Sequence, residues 1–310
     1  MAKRFIENGR EGDSDLWIYV VVMGITWLYW FLFAYLFMLI SSGLLSLLPL
    51  SQVVVETVSN NVPFAMVLGW FAWVMPNMHG RPLQSLINTE KTINFRRVAQ
   101  GLGLWMALSS LWLGLDVWMD PQNYRWQFDP SAWYPLAALS ILLVPIQTSI
   151  EELIFRGYLM QGLRLITRHS AWLVVISSFI FSWLHWGNPE MLRGPMVWGA
   201  LNYFAWGVIF SVITLKDNGL ELALGVHAGN NIFLSLMVTT PDSVLQTPAL
   251  FSYTAPIDPR QSLVFLLFDG IVFYWAFFGG MPRRNSKSLF RQSMTPPSEK
   301  HTPDEDNSPT

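Results

Sequence analysis

The apolar runs constrain this chain most. Eight stretches, roughly 16–40, 63–76, 98–119, 133–163, 171–190, 196–216, 220–240 and 261–280, are dominated by large hydrophobes. Most are near the ~20 residues that a bilayer crossing needs. The second is short at 14 residues and implies tilt, extension at its ends or a re-entrant path. Helices are the only plausible spanning form, because an open strand leaves backbone groups unpaired in lipid. The expected fold is therefore all-α: a polytopic membrane bundle of about eight transmembrane helices. Composition agrees. Charged residues make up 13% of the chain, about half the share usual in soluble domains.

The run beginning at Leu16 is too long for a signal-peptide core and reads as a retained span. With the N-terminus inside, alternating spans put 16 of the 19 basic residues on one side, leaving Arg125, Arg193 and Arg260 on the other. That asymmetry predicts cytoplasmic N- and C-termini and an integral membrane protein, as in a bacterial plasma membrane. A net charge of −2 gives no reason to expect a nucleic-acid partner, and the absence of cysteine excludes disulfides, thiolate metal sites and a cysteine nucleophile.

The chain divides by composition. Residues 1–15 read as a cytoplasmic N-terminal segment and 16–132 as accessory transmembrane helices. Residues 133–240 hold most of the intramembrane polar residues. Residues 241–282 read as an extracytoplasmic loop and the last helix. The segment 283–310, Pro-rich and polar, reads as a disordered cytoplasmic tail, since it cannot bury enough surface to offset ordering entropy.

Ionisable and amide groups inside spans are costly and are functional candidates by default. Four places stand out: Glu151–Glu152 with Arg156 in "EELIFR", His185 in "FSWLH", Asn202, and His227 with Asn230 and Asn231 in "HAGNN". Glu152 and Arg156 are four apart with the acid first, the favourable order for an ion pair on one helix face. Glu151 then lies about 100° round the helix. His227 and Asn231 share a face at the same spacing. A bundle can thus bring one carboxylate, two imidazoles and an amide to one buried point. That set suits amide hydrolysis. A carboxylate can act as general base on water, an imidazole can share that water, and further donors can stabilise an oxyanion. Asn202 reads as an interhelical hydrogen bond, and Asn230, on another face, as structural.

The three stretches resemble the EExxxR, FxxxH and HxxxN motifs of the CAAX prenyl endopeptidase and bacteriocin-processing family of intramembrane proteases, in the family's order. The resemblance covers about 133–240. It implies a helical-bundle protease in which Glu151 activates water with help from His185, His227 and Asn231 form the oxyanion site, and Glu152 and Arg156 support the helix. The substrate would be a membrane-associated protein or peptide reached within the lipid bilayer, and no cofactor is expected. Eukaryotic members cut behind a prenylated cysteine; the resemblance does not carry that part over. Other readings stay open from sequence: a zinc-dependent protease using Glu151, His185 and His227, since two His and a carboxylate form a familiar zinc set; an immunity or scaffold protein that binds without cleaving; or a transporter with the charges along its path.

One tension is built into this reading. A span over 171–190 puts His185 near its outer end, whereas Glu151 falls toward the inner end of its own span. Groups at opposite faces could not cooperate.

Overall fold

The computed structural model describes residues 4–279, apart from 193–194, 241–242, 244–246 and 256; the expected disordered tail lies outside the described residues. The chain forms α1 (Leu16–Leu45), α2 (Gln52–Met78), α3 (Phe95–Met119), α4 (Pro130–Ile166), α5 (Ser170–Leu184), α6 (Met196–Asp217), α7 (Glu221–Met237) and α8 (Pro259–Phe278). Six of these, all but α5 and α7, are long and apolar enough to cross a membrane. Their outward faces carry large apolar side chains such as Trp17, Phe31, Trp118, Ile141 and Trp275. A membrane protein shows such surfaces because lipid, not water, covers them.

Several expected boundaries move. The short second stretch extends into a 27-residue helix, α2. Its first half is polar in sequence, but Thr57, Ser59 and Asn61 are buried against the bundle, and Asn61 Nδ2 donates to Thr57 O at 2.7 Å. Tertiary burial carries the helix where hydropathy does not. The fifth stretch is shorter than expected, because α5 stops at Leu184. His185 follows at φ −93°, ψ 0°, and Nδ1 of its ring donates to Phe181 O at 2.7 Å, capping its own helix. Gly187 and Pro189 come next, and proline cannot extend the helix.

The longest helix, α4, changes pitch part-way. Leu153–Leu159 is a π-helical segment directly after the two glutamates. One widened turn of this kind re-aims the residues on either side of it. Ser177 of α5 donates to Phe155 O in that segment at 3.1 Å, and a Cβ on Gly157 would lie 2.8 Å from Leu86 O. The second contact seats the α2–α3 connection against α4.

Helix α7 lies against α3 almost backbone to backbone. A Cβ on Gly225 would sit 2.0 Å from Val98 O, and one on Gly101 would sit 2.4 Å from Leu222 O. Small residues permit this approach, the usual device where lipid gives helices no hydrophobic drive to associate. α7 also packs on α4, and α5 pairs along α6.

The two ends of the bundle differ. One carries a three-stranded sheet, β1 (Tyr124–Trp126), β2 (Val238–Thr239) and β3 (Phe251–Tyr253), in the order β1-β3-β2. β1 pairs with β3 antiparallel, Arg125 opposite Ser252, and β2 pairs with β3 parallel. The other end, hereafter the N-terminal end, is closed by residues 4–13. Phe5, Ile6 and Asn8 are buried there. Asn8 Nδ2 donates to Ser85 O and Asn88 O, Arg81 donates to Asn8 O and Gln161 Oε1, and Arg164 pairs with Glu7 at 2.7 Å.

Candidate active site

The depth tension resolves by counting turns. Glu151 is 15 residues before the end of α4 at Ile166, and His185 is 15 residues beyond the start of α5 at Ser170. The two helices form a hairpin, so both groups stand about 22 Å above the same turn at 1.5 Å per residue. His185 marks the place where α5 stops. α7 starts higher than α4 ends, because Leu220 N donates to Ile87 O at 2.7 Å and Leu86 lies against Gly157. From that level His227 is six residues above Glu221, as Glu151 is six above Gly157. Three helices thus deliver their residues to one height.

The side chains meet there. Glu151 Oε2 is 3.9 Å from His185 Nε2 and 3.8 Å from His227 Nε2. Those separations are too long for direct hydrogen bonds. Gln147, one turn back on α4, donates to the other oxygen of Glu151 at 3.5 Å. Each imidazole has an aromatic backing: His185 stacks on Tyr203 with ring centroids 4.5 Å apart, and His227 on Phe210 at 4.7 Å.

Below this point the charges are sealed. Glu152 and Arg156 are fully buried. Arg156 Nη1 donates to Glu152 Oε1 at 3.1 Å and its Nη2 to Gly207 O at 3.2 Å. The guanidinium also lies over Phe181, 4.5 Å from the ring centroid, a contact that stabilises a desolvated cation. The same Glu152 oxygen sits 2.8 Å from His227 Nδ1. A carboxylate there fixes a proton on Nδ1 and aims Nε2 at Glu151, the usual way a second group sets a histidine's tautomer. Helical spacing predicts the Glu152–Arg156 pair but not the Glu152–His227 contact, which spans 75 residues of sequence.

Asn231 follows His227 by one turn on α7. Its Oδ1 accepts from Asn230 Nδ2 at 3.0 Å, and Asn230 Oδ1 in turn accepts from Trp105 Nε1 at 3.4 Å. Among the described residues no hydrogen bond joins Asn202 to the cluster, whereas its neighbour Tyr203 touches it directly. A survey of the spans also passes over Asp269. This acid is buried in α8 and accepts from Trp112 Nε1 at 2.7 Å, and it lies outside the cluster.

Comparison with known proteins agrees with this arrangement. A family profile described as "Type II CAAX prenyl endopeptidase Rce1-like" matches residues 130–233, which hold every residue of the cluster. The chain belongs to the CAAX prenyl endopeptidase and bacteriocin-processing family. One relative, "Uncharacterized protein YyaK" of Bacillus subtilis (strain 168), is 31% identical over 275 residues, covering 85% of this chain and 91% of the relative. No solved structure matches. Family membership and the apolar helices together make this an integral membrane protein of a group that generally comprises proteases.

Proposed function

We propose that the chain is a glutamate-dependent intramembrane endopeptidase that hydrolyses a peptide bond in a membrane-associated protein or peptide. One observation carries this reading: Glu151 Oε2 faces the Nε2 atoms of both His185 and His227 at just under 4 Å. A water about 2.8 Å from each could bridge them.

Glu151 takes a proton from that water, and the oxygen adds to the scissile carbonyl carbon. His185, tied by Nδ1 to Phe181 O, presents Nε2 to the same water. His227 and Asn231 are the oxyanion donors. With Nδ1–H held by Glu152, donation from His227 Nε2 requires the doubly protonated ring, and Glu152 and Glu151 are its counter-charges. The proton on Glu151 then passes to the leaving amine as the carbon–nitrogen bond breaks. Preorganised donors of this kind act strongest where water is excluded. Glu152 and Arg156 hold this geometry and do not touch the substrate.

Two imidazoles and one carboxylate are also a zinc donor set. The sequence lacks the HExxH helix of common zinc proteases, so the metal-free reaction is the first reading. The test compares new protein N-termini in membranes of cells carrying wild type or Glu151→Gln, with and without a chelator. Cleavages seen only with wild type support the carboxylate base and identify the substrate. Loss on chelation favours the zinc form. Matching profiles at equal protein levels would leave a binding or scaffold protein of the same fold.

A further inference from the structure

The cluster has one open side, and the fold says which. The floor toward the N-terminal end is shut: Arg156, Tyr158, Phe181 and Phe210 are each at most 2% exposed. Beneath them residues 4–13 close the end of the bundle. Gly9 lies against Gln161 O, where a Cβ would come to 2.7 Å, and Tyr19 Oη donates to Gly9 O at 3.2 Å. Exposure rises only in the opposite direction. The side chains of His227, Glu151 and His185 are 8%, 13% and 21% accessible, while Glu152 is 0%. About two turns nearer the sheet, Ser235 of α7 is partly exposed and Leu234 half exposed.

The cause is the short α5. It pairs along α6 and packs on α4 chiefly from the π-helical segment onward. Where it stops, the chain turns into Pro189–Leu192, which packs on α6 with Met191 buried against Gly199, and His185 stands at the base of that turn. Tyr203 is seven residues from the start of α6, and His227 is ten from the end of α7. The base therefore lies about 10–15 Å below the sheet end at 1.5 Å per residue.

We infer that the site opens toward the sheet end only, and that this end is extracytoplasmic. Among the described cations outside the bundle interior, the sheet end carries Arg125 and Arg260, whereas Arg4, Arg10, Lys91, Arg96, Arg97, Arg164, Arg168 and Lys216 belong to the N-terminal end. Basic residues accumulate on the cytoplasmic side. The substrate class follows: a peptide segment lying in the outer half of the bilayer, whose scissile bond descends past the end of α5, with products released away from the cytoplasm. This substrate class rests on the peptidase reading of the cluster; the direction of opening does not.

The chain has no cysteine, so single cysteines report accessibility cleanly. Ser235→Cys lies two turns from His227 on the same face of α7, Gln122→Cys marks the sheet end, and Glu90→Cys marks the N-terminal end. Each is treated with a membrane-impermeant maleimide in intact and in permeabilised cells. The expected result is equal labelling of Ser235→Cys and Gln122→Cys in both, with Glu90→Cys labelling lost in intact cells. Labelling of Ser235→Cys only after permeabilisation, or in neither state, overturns the inference, as does an inverted pattern at Gln122→Cys and Glu90→Cys. None of these readouts needs catalysis. An unchanged cleavage profile in Glu151→Gln with this labelling pattern would remove the peptidase reading and leave the opening standing.

Discussion

At the scale of single residues, the two adjacent glutamates divide the work. Glu151 has a partly open carboxylate facing two imidazoles; Glu152 is fully buried between Arg156 and His227. Their substitutions should therefore fail differently. Glu151→Gln keeps the shape and should accumulate normally while cleavage falls by about 10²–10⁴, the usual worth of a general base, as read by the appearance of new N-termini. Asn231→Ala should lower the rate by about 10²–10³ if it donates to the oxyanion. Glu152→Ala strands a buried guanidinium, and such losses cost about 3–5 kcal/mol. Its first symptom should be a lower melting temperature in detergent. The motif residues were legible in sequence because charge inside an apolar run is conspicuous. The second partner of Glu152 was not, since a contact between α4 and α7 leaves no trace in local spacing.

At the scale of elements, helix ends and helix approach decide whether the residues meet. Hydropathy reads α5 through to 190, but the chain turns at His185 because Gly187, Asn188 and Pro189 follow, and aromatic Trp183 and Trp186 hide that stop from an average over the run. The reading of eight stretches thus anticipates the helices, six of them long and apolar enough to cross a membrane, and misplaces the boundary that sets the height of the site. The height of His227 depends on α7 lying close to α3. Gly225→Ala would place a methyl group 2.0 Å from Val98 O and push α7 aside. That substitution should lower both folded yield and cleavage, assayed by detergent-stable monomer and by product. Gly103→Ala on α3 meets nothing within 4 Å. It should be neutral or stabilising by up to about 1 kcal/mol, as expected for replacing glycine inside a helix.

At the scale of the whole molecule, the closed N-terminal end is held by a polar network with few carboxylates. His79 follows α2; its Nδ1 is 2.8 Å from Asp13 O and its Nε2 2.8 Å from Tyr158 Oη. Gly12, at φ +62°, brings the backbone against His79 O, where a Cβ would come to 1.9 Å. Burial, reinforced by the Arg81 guanidinium, holds the His79 pKa below its ordinary 6.5. Burial likewise lowers that of Arg81, which stays charged. The sign follows from linkage. Above 6.5 the ring is neutral in both folded and unfolded chains and contributes no pH dependence. As pH falls below 6.5 the unfolded chain binds a proton that the folded chain resists, so stability drops until the lower folded pKa is reached. Acid should therefore loosen residues 4–13 before the helices separate. The check is the melting temperature of wild type and His79→Gln between about pH 7.5 and 5, together with proteolytic cleavage near Gly12. Wild type should lose stability across that window and become cleavable, whereas His79→Gln, lacking the ring, should show a flatter profile. Equal pH dependence in both would place the acid sensitivity elsewhere, and the closure would then rest on Arg81, Asn8 and Gln161 alone.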